Sequence, residues 1–409
     1  MTRDKGGAKG REVAERSGAA APMGDGSRRG GAGGDTKHIG VNLLWLVPGV
    51  VGGSEEYTIR TLMGLAEQGG NDLEVTVFCL RSFVDAHPEV ADAFPMVTLP
   101  LTGREKSMRL AAESSWLGYQ SRHHDLDLMH HAGGIMPPLR GAPGVLTIHD
   151  LQPFVMPEHF SPVKRNFSRI AVPRSARAAR LVLTPSEFTR QSVIDVLETA
   201  PEDVVVVPHG VAPTPDGSTP ADELAARYDL DRPYFVFPAI TYPHKNHLLL
   251  VRALASVPDA LLVLTGGAAQ LEDEIMAEAQ RLEVAGRVRR PGRVPRVDLD
   301  GLLDGATALL FPSLFEGFGA PVLEAMSRGC PVVAADTTAL PEVVGDAGIL
   351  LPPDEPEEWS RVMADLLENP DRRRELAAAG RRRAATFTWG RSADALRAAY
   401  QRALDREPA

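Results

Sequence analysis

Two glutamates eight positions apart, Glu316 and Glu324, stand in the segment Phe311-Pro-Ser-Leu-Phe-Glu-Gly-Phe-Gly-Ala-Pro-Val-Leu-Glu-Ala-Met-Ser-Arg-Gly-Cys-Pro-Val-Val-Ala-Ala335. An apolar strand ends at Pro312 and a glycine loop carries Glu316. Pro321 suits the opening turn of a helix that stops before Gly329, which puts Glu324 in its first turn. The helix N-terminus between the two acids offers unpaired N–H groups and a partial positive charge, which suits a diphosphate. Carboxylates beside a phosphate repel it, so the two acids are better used as acceptors for sugar hydroxyls. The pattern predicts a nucleotide-sugar pocket.

A second chemical segment, Phe237-Pro-Ala-Ile-Thr-Tyr-Pro-His-Lys-Asn-His-Leu, reads as strand, loop and amphipathic helix. Lys245 is placed to neutralise a departing diphosphate without a metal. His244 and His247 read as loop and helix-surface residues. Earlier, Gly52 and Gly53 lie in a strand-to-helix turn, Pro48-Gly-Val-Val-Gly-Gly-Ser-Glu-Glu56, where glycine permits close approach of a ligand. The apolar run 144–148 ends in His149-Asp150, and a histidine at a strand's carboxyl end points into an interdomain cleft. Asp150 would orient that ring or receive the acceptor, and His130 and His131 are weaker acceptor-side candidates. No His/Cys/Asp cluster has metal-ligand spacing, so no metal site is expected.

The string Ser-x-x-Glu-Gly-Phe-Gly-x-x-x-x-Glu-Ala-Met-x-x-Gly-x-Pro-Val-Val resembles the E-x7-E signature of the retaining GT-B glycosyltransferases of family 4, and the resemblance extends from about Gly40 to Trp389. It implies a donor that is a nucleoside diphosphate sugar, no tightly bound cofactor, and transfer with retention of anomeric configuration. Glu316 would contact the transferred sugar and Glu324 the ribose hydroxyls, while backbone amides near Phe318 and Gly319 and the Lys245 ammonium meet the phosphates. Gly52 and Gly53 match the family's first loop, and His149 matches its cleft histidine. One departure stands out. Where the family commonly has an arginine after a strand-end glycine, this chain has Ala239-Ile240-Thr241, which leaves the Thr241 hydroxyl or Arg293 as the stand-in. The Tyr242-Pro-His-Lys-Asn-His form leans towards mannosyltransferases of polysaccharide assembly.

These residues need two sheets to position them. Apolar runs at 39–47, 73–79, 94–99, 126–130, 144–148, 181–184 and 204–207 are separated by loop- or helix-length segments. A second series starts at 234–237 and continues at 261–264, 288–290, 308–311, 331–335 and 348–351. Continuous apolar strands alternating with helices indicate parallel sheets covered on both faces. The fold class is therefore α/β, two Rossmann-like, doubly wound domains facing across a cleft, with ligands at the carboxyl ends of both sheets, and the resemblance implies that this pair is a GT-B fold. The boundaries read as a Gly/Arg-rich tail at 1–37 expected to be disordered, a first domain at 38–212, a second at 213–390 and a C-terminal helix at 391–409; the resemblance implies that the first domain binds the acceptor and the second the nucleotide sugar.

The 409 residues carry 44 basic and 54 acidic side chains, a net charge of −10, which argues against a dedicated nucleic-acid binder. Cys79 and Cys330 sit in apolar runs and read as buried free thiols of a reducing cytosol. No apolar run approaches the ~18–20 residues that span a bilayer. No leader pattern opens the chain, so a cytoplasmic location, at the inner face of the cell membrane, is expected. Between 160 and 186 there are six basic side chains and no acid. That run, 164–180, reads either as a patch for anionic lipid or a lipid-diphosphate acceptor, or as a solvated helix face. The functional expectation is transfer of a hexose to a hydroxyl of a glycan, lipid-linked or natural-product acceptor. The alternatives are a GT-B sugar-nucleotide epimerase and a non-catalytic nucleotide-sugar-binding scaffold. A dinucleotide dehydrogenase would need a Gly-x-Gly-x-x-Gly turn, which is absent after Val47.

Overall fold

A computed structural model describes residues 36–50, 52–101, 106–212 and 217–406. The first sheet has seven strands: β1 (Lys37–Asn42), β2 (Leu73–Leu80), β3 (Met96–Leu99), β4 (Leu128–His131), β5 (Gly144–Thr147), β6 (Leu181–Thr184) and β7 (Val204–Val206). They lie in the order β3-β2-β1-β4-β5-β6-β7, and every pairing is parallel. The second sheet holds β8 (Tyr234–Pro238), β9 (Leu261–Thr265), β10 (Val288–Gly292), β11 (Ala308–Phe311), β12 (Val332–Ala335) and β13 (Ile349–Leu351), ordered β10-β9-β8-β11-β12-β13 and again parallel.

Both sheets are doubly wound, because helices cover their two faces and leave the central strands without solvent contact. Phe235, Val236, Phe237, Leu261, Leu262, Leu309 and Leu310 are all fully buried. Strand order reverses between β1 and β4 in the first sheet and between β8 and β11 in the second. At such a point the loops at the strands' carboxyl ends diverge and open a crevice. The loops after β1, β8 and β11 are those that carry the glycines, Lys245 and Glu316.

Several expected boundaries move. β1 ends at Asn42 rather than Val47, since the Asn42 side-chain carbonyl accepts from the Leu44 N–H at 3.1 Å and turns the chain out of the ladder. Lys37, assigned to the tail, opens that strand; the rest of the expected tail, to residue 35, lies outside the described residues, as do 213–216 of the linker. The final helix starts at Trp389 and packs on the first half: its Ala393, Leu396, Ala399, Tyr400 and Ala403 join the core of the first sheet. Tyr400 donates to or accepts from His130 Nδ1 at 2.8 Å, and His130 Nε2 meets the Thr147 hydroxyl at 2.7 Å. His130 and His131 are thereby removed from the acceptor-side candidates, for both are buried and hydrogen-bonded inside the fold.

Candidate functional site

Lys245 and Glu316 meet directly, Nζ to Oε1 at 2.5 Å. Topology brings them together: β8 and β11 are hydrogen-bonded neighbours, so the loops leaving their carboxyl ends emerge side by side. Those loops are then tied to each other. Leu314 N donates to the His244 carbonyl at 2.7 Å, and Asn246, held at φ 58°, donates from Nδ2 to Pro312 O at 3.3 Å and to Pro353 O at 2.7 Å. Glu316 N donates to the Thr338 hydroxyl at 3.1 Å, fixing the acid's backbone.

His149 reaches this pair through Gly317. A Cβ on Gly317 would stand 2.2 Å from the His149 carbonyl oxygen, so only glycine lets the Glu316 loop lie against the end of the first sheet. The His149 ring packs on Trp45 and edge-on to Tyr57, with centroids 5.8 and 5.5 Å away. Its Nε2 lies 2.9 Å from Ala132 O. A carbonyl only accepts, so Nε2 carries the proton. Burial lowers the ring's pKa, and the neutral imidazole therefore presents Nδ1 as an acceptor.

Glu324 faces a hollow that Lys245, Glu316 and His149 do not line. The helix Ala320–Arg328 begins after Gly319, so Glu324 sits in its second turn and not the first, beyond the strongest pull of the helix N-terminus. Its charge is met by Arg296 instead, Nη1 to Oε2 at 2.8 Å. Burial pushes the Glu324 carboxyl above its usual range while Arg296 pulls it down. A cavity of about 220 Å³, lined by Glu56, Arg60, His209, Arg296, Glu324 and Trp389 among others, opens beside it. Phe318 is buried and stacks flat on His209, ring centroids 4.8 Å apart at 12°. Gly319 caps the helix at φ 103°.

His209 and Arg296 were not singled out from the sequence. The first had a signal, since like His149 it closes an apolar strand at its carboxyl end. Its Nδ1 lies 2.6 Å from the Gly210 carbonyl and so carries the proton, burial lowers its pKa to about 4, and its buried Nε2 has no partner among the described residues. Arg296 gave none, because its pairing depends on two helices meeting.

The first-half glycines are open. Gly52 has φ 73°, and a Cβ at Gly52 or Gly53 would meet nothing within 4 Å among the described residues. The turn is closed by Glu55, whose carboxylate accepts from Gly49 N at 2.9 Å and contacts His87 Nε2 at 2.9 Å. Next to it a hollow of about 700 Å³ lies among Pro48, Arg81, Ser82, Asp85 and Thr98 at the ends of β1 to β3.

Thr241 is corrected as a phosphate ligand. It is fully buried, and its hydroxyl is already used, donating to Glu272 at 3.1 Å and accepting from Ala269 N at 2.6 Å. His247 is corrected as well: it is fully buried against Phe237 and not on a helix surface. The basic run also divides. Arg174 donates to Met136 O and Arg180 to Ala403 O inside the fold, whereas Lys164, Arg169 and Arg177 are exposed.

Comparison with known proteins agrees with this architecture. The family model described as "Glycosyltransferase Family 4" matches residues 51–214, and the one described as "Glycosyl transferases group 1" matches 222–383. O-antigen chain mannosyltransferase B of Escherichia coli is 30% identical over 271 residues, 64% of this chain and 71% of that one. D-inositol 3-phosphate glycosyltransferase of Segniliparus rotundus is 29% identical over 404 residues, covering 88% and 87% of the two chains. The crystal structure of Anabaena HepE in complex with UDP-glucose superposes with a TM-score of 0.71 at 21% identity, over 89% of this chain and 99% of that one, a likeness of fold. With both halves matched in tandem and a relative 30% identical across most of its length, the chain belongs to the GT-B glycosyltransferases of family 4.

Proposed function

We propose that this glycosyltransferase moves a hexose, mannose foremost, from a nucleoside diphosphate sugar to a hydroxyl of a glycan, lipid-linked or natural-product acceptor, with retention of anomeric configuration. The observation that carries the reading is the Lys245–Glu316 pair at 2.5 Å, set where β8 and β11 diverge and pressed through Gly317 against His149. In that pair each ion neutralises the other until substrate arrives. A diphosphate draws the ammonium to itself, and the carboxylate then accepts from the sugar's hydroxyls, with Nδ1 of neutral His149 as a second acceptor. The Phe318 and Gly319 amides and the Gly52–Gly53 turn receive the phosphates, and Glu324 takes the ribose hydroxyls after Arg296 yields. The leaving phosphate takes up the acceptor's proton on the face it vacates, so no protein nucleophile is required. The charge stabilisation comes from groups already in place. Mannose is favoured by the names of relatives such as the E. coli enzyme. The hollow beside Arg81 and Ser82 suits an acceptor. Contact with anionic membrane through 164–180 is supported by exposed Val163 and Ile170 beside Lys164 and Arg169, and it would keep the enzyme at the inner face of the cell membrane.

A thermal-shift panel containing GDP-mannose, UDP-glucose and other nucleotide sugars identifies the donor, because a ligand of the native state raises the melting temperature by mass action. With that donor, Glu316→Ala and Lys245→Ala should each lower turnover by about 10²-fold or more in folded protein. Wild-type turnover in both variants refutes the site, and sugar isomerised without acceptor would mark an epimerase.

A further inference from the structure

The loop that bears Glu316 is gripped from the first half of the molecule by two hydroxyls. Ser186 Oγ donates to the Gly317 carbonyl at 2.6 Å, and Thr189 Oγ1 donates to the same oxygen at 3.0 Å. Both side chains are buried, at 0% and 1% exposure, so neither bond competes with bulk water. Ser186 is also the N-cap of the helix Glu187–Leu197, accepting from Thr189 N at 3.1 Å, so its oxygen is held in place by the helix it starts. A second contact runs the opposite way. Glu342, from the second half, accepts from the first amides of that helix, Glu187 N at 3.0 Å and Phe188 N at 3.1 Å, and the Phe188 ring packs edge-on against Phe315 at 6.0 Å.

We propose that Ser186 and Thr189 are positioning residues that make the setting of Glu316 depend on the two halves being closed. The inference rests on the assignment of Glu316 to the transferred sugar. Neither residue touches the reacting atoms. They act on the Gly317–Phe318 peptide, one residue beyond Glu316, whose carbonyl they fix while Thr338 fixes the Glu316 amide. When the halves separate, Gly317 O loses both donors and the loop keeps only the bonds made within the second half. The second half would still bind nucleotide through its own groups, but with the acid out of register. Transfer then proceeds only when the acceptor-bearing half has docked, which limits loss of the sugar to water.

The test uses the full chain carrying Ser186→Gly with Thr189→Val. Glycine at an N-cap costs the helix little, and valine keeps the β-branched shape while removing the donor. With the donor that gives wild-type turnover, kcat should fall about tenfold or more. The Kd for UDP or GDP by calorimetry and the KM for donor should stay within about twofold. Thr189→Ser, which retains the hydroxyl, should restore most of the rate relative to Thr189→Val. Hydrogen exchange should quicken at the amides of 316–319 while strands β8 and β9 keep their protection. Unchanged kcat with unchanged exchange overturns the proposal, as does faster exchange throughout the fold accompanied by a parallel loss of nucleotide binding, the mark of a merely structural role. Should the wild type transfer no sugar from any donor, the functional reading fails, and the exchange comparison still decides whether the hydroxyls hold the loop.

Discussion

Histidines placed in the interior set the acid limit of this protein. Burial lowers the pKa of His130 and His131 to about 3 and of His209 and His247 to about 4. Each is neutral when folded at pH 5, whereas in the unfolded chain it titrates near 6.5. The unfolded state therefore binds more protons below pH 6.5, and stability falls as pH drops from there towards 4, by up to about 1.4 kcal/mol per pH unit for each histidine. Glu113 opposes this, since burial raises its pKa to about 7 and the folded state takes up its proton first. Burial raises Glu324 in the same sense, but it also lowers His149 and His244, so the lowered histidines outnumber the raised acids and the net is a loss. The melting temperature should be nearly level above pH 7 and decline steadily from pH 6.5 to 4.5; a level profile over that range contradicts the assignment. At this scale Lys245, Glu316, Glu324 and His149 were readable as candidates because they stand in short contiguous motifs. The occupied hydroxyl of Thr241 was not, for its partners Ala269 and Glu272 are set by how a distant loop folds back.

The C-terminal helix, Trp389–Leu404, is the element whose role sequence patterning leaves open. Its apolar stripe predicts burial without saying against which sheet. The structure lays it across Gly53–Gln68, where Gly64 gives room: a Cβ there would stand 2.8 Å from Trp389 O. Tyr400 anchors the far end, fully buried with its hydroxyl on His130. Tyr400→Ala should cost about 3–5 kcal/mol, through the cavity left and the stranded imidazole. At about 2–4 °C per kcal/mol, calorimetry should record a drop near 10 °C. Tyr400→Phe, which loses only the hydrogen bond, should cost about 1 kcal/mol. A shift below 2 °C for the alanine variant would mean that the helix is not held there. Strands were the most legible elements, because burial on both faces turns them into unbroken apolar runs. Their ends were less so, as at Asn42, where a single side-chain hydrogen bond stops the ladder early.

For the whole molecule the open issue is where it works. Its net charge is −10, yet the exposed start of the helix Pro162–Ala178 presents Val163, Phe167 and Ile170 at 81%, 41% and 73% exposure beside Lys164 and Arg169. Co-sedimentation should show binding to vesicles containing phosphatidylglycerol and little to neutral ones. Reversing Lys164, Arg169 and Arg177 to glutamate should weaken it by about 100-fold or more, at roughly 1 kcal/mol per basic charge, and added salt should act in the same direction. Equal binding to both vesicle types would count against the lipid patch. Much was legible in the order of residues alone: two parallel sheets follow from apolar runs that no exposed strand tolerates, and the proposed donor site is built on acids, glycines and a lysine grouped at strand ends. Local chemistry needs only neighbours along the chain. What tertiary structure decided were the pairings across the chain, Arg296 with Glu324, His209 beneath Phe318, and Ser186 and Thr189 on Gly317. Partners separated by 28 to 131 residues leave no mark in spacing, since which side chains meet is fixed only when helices and sheets have packed.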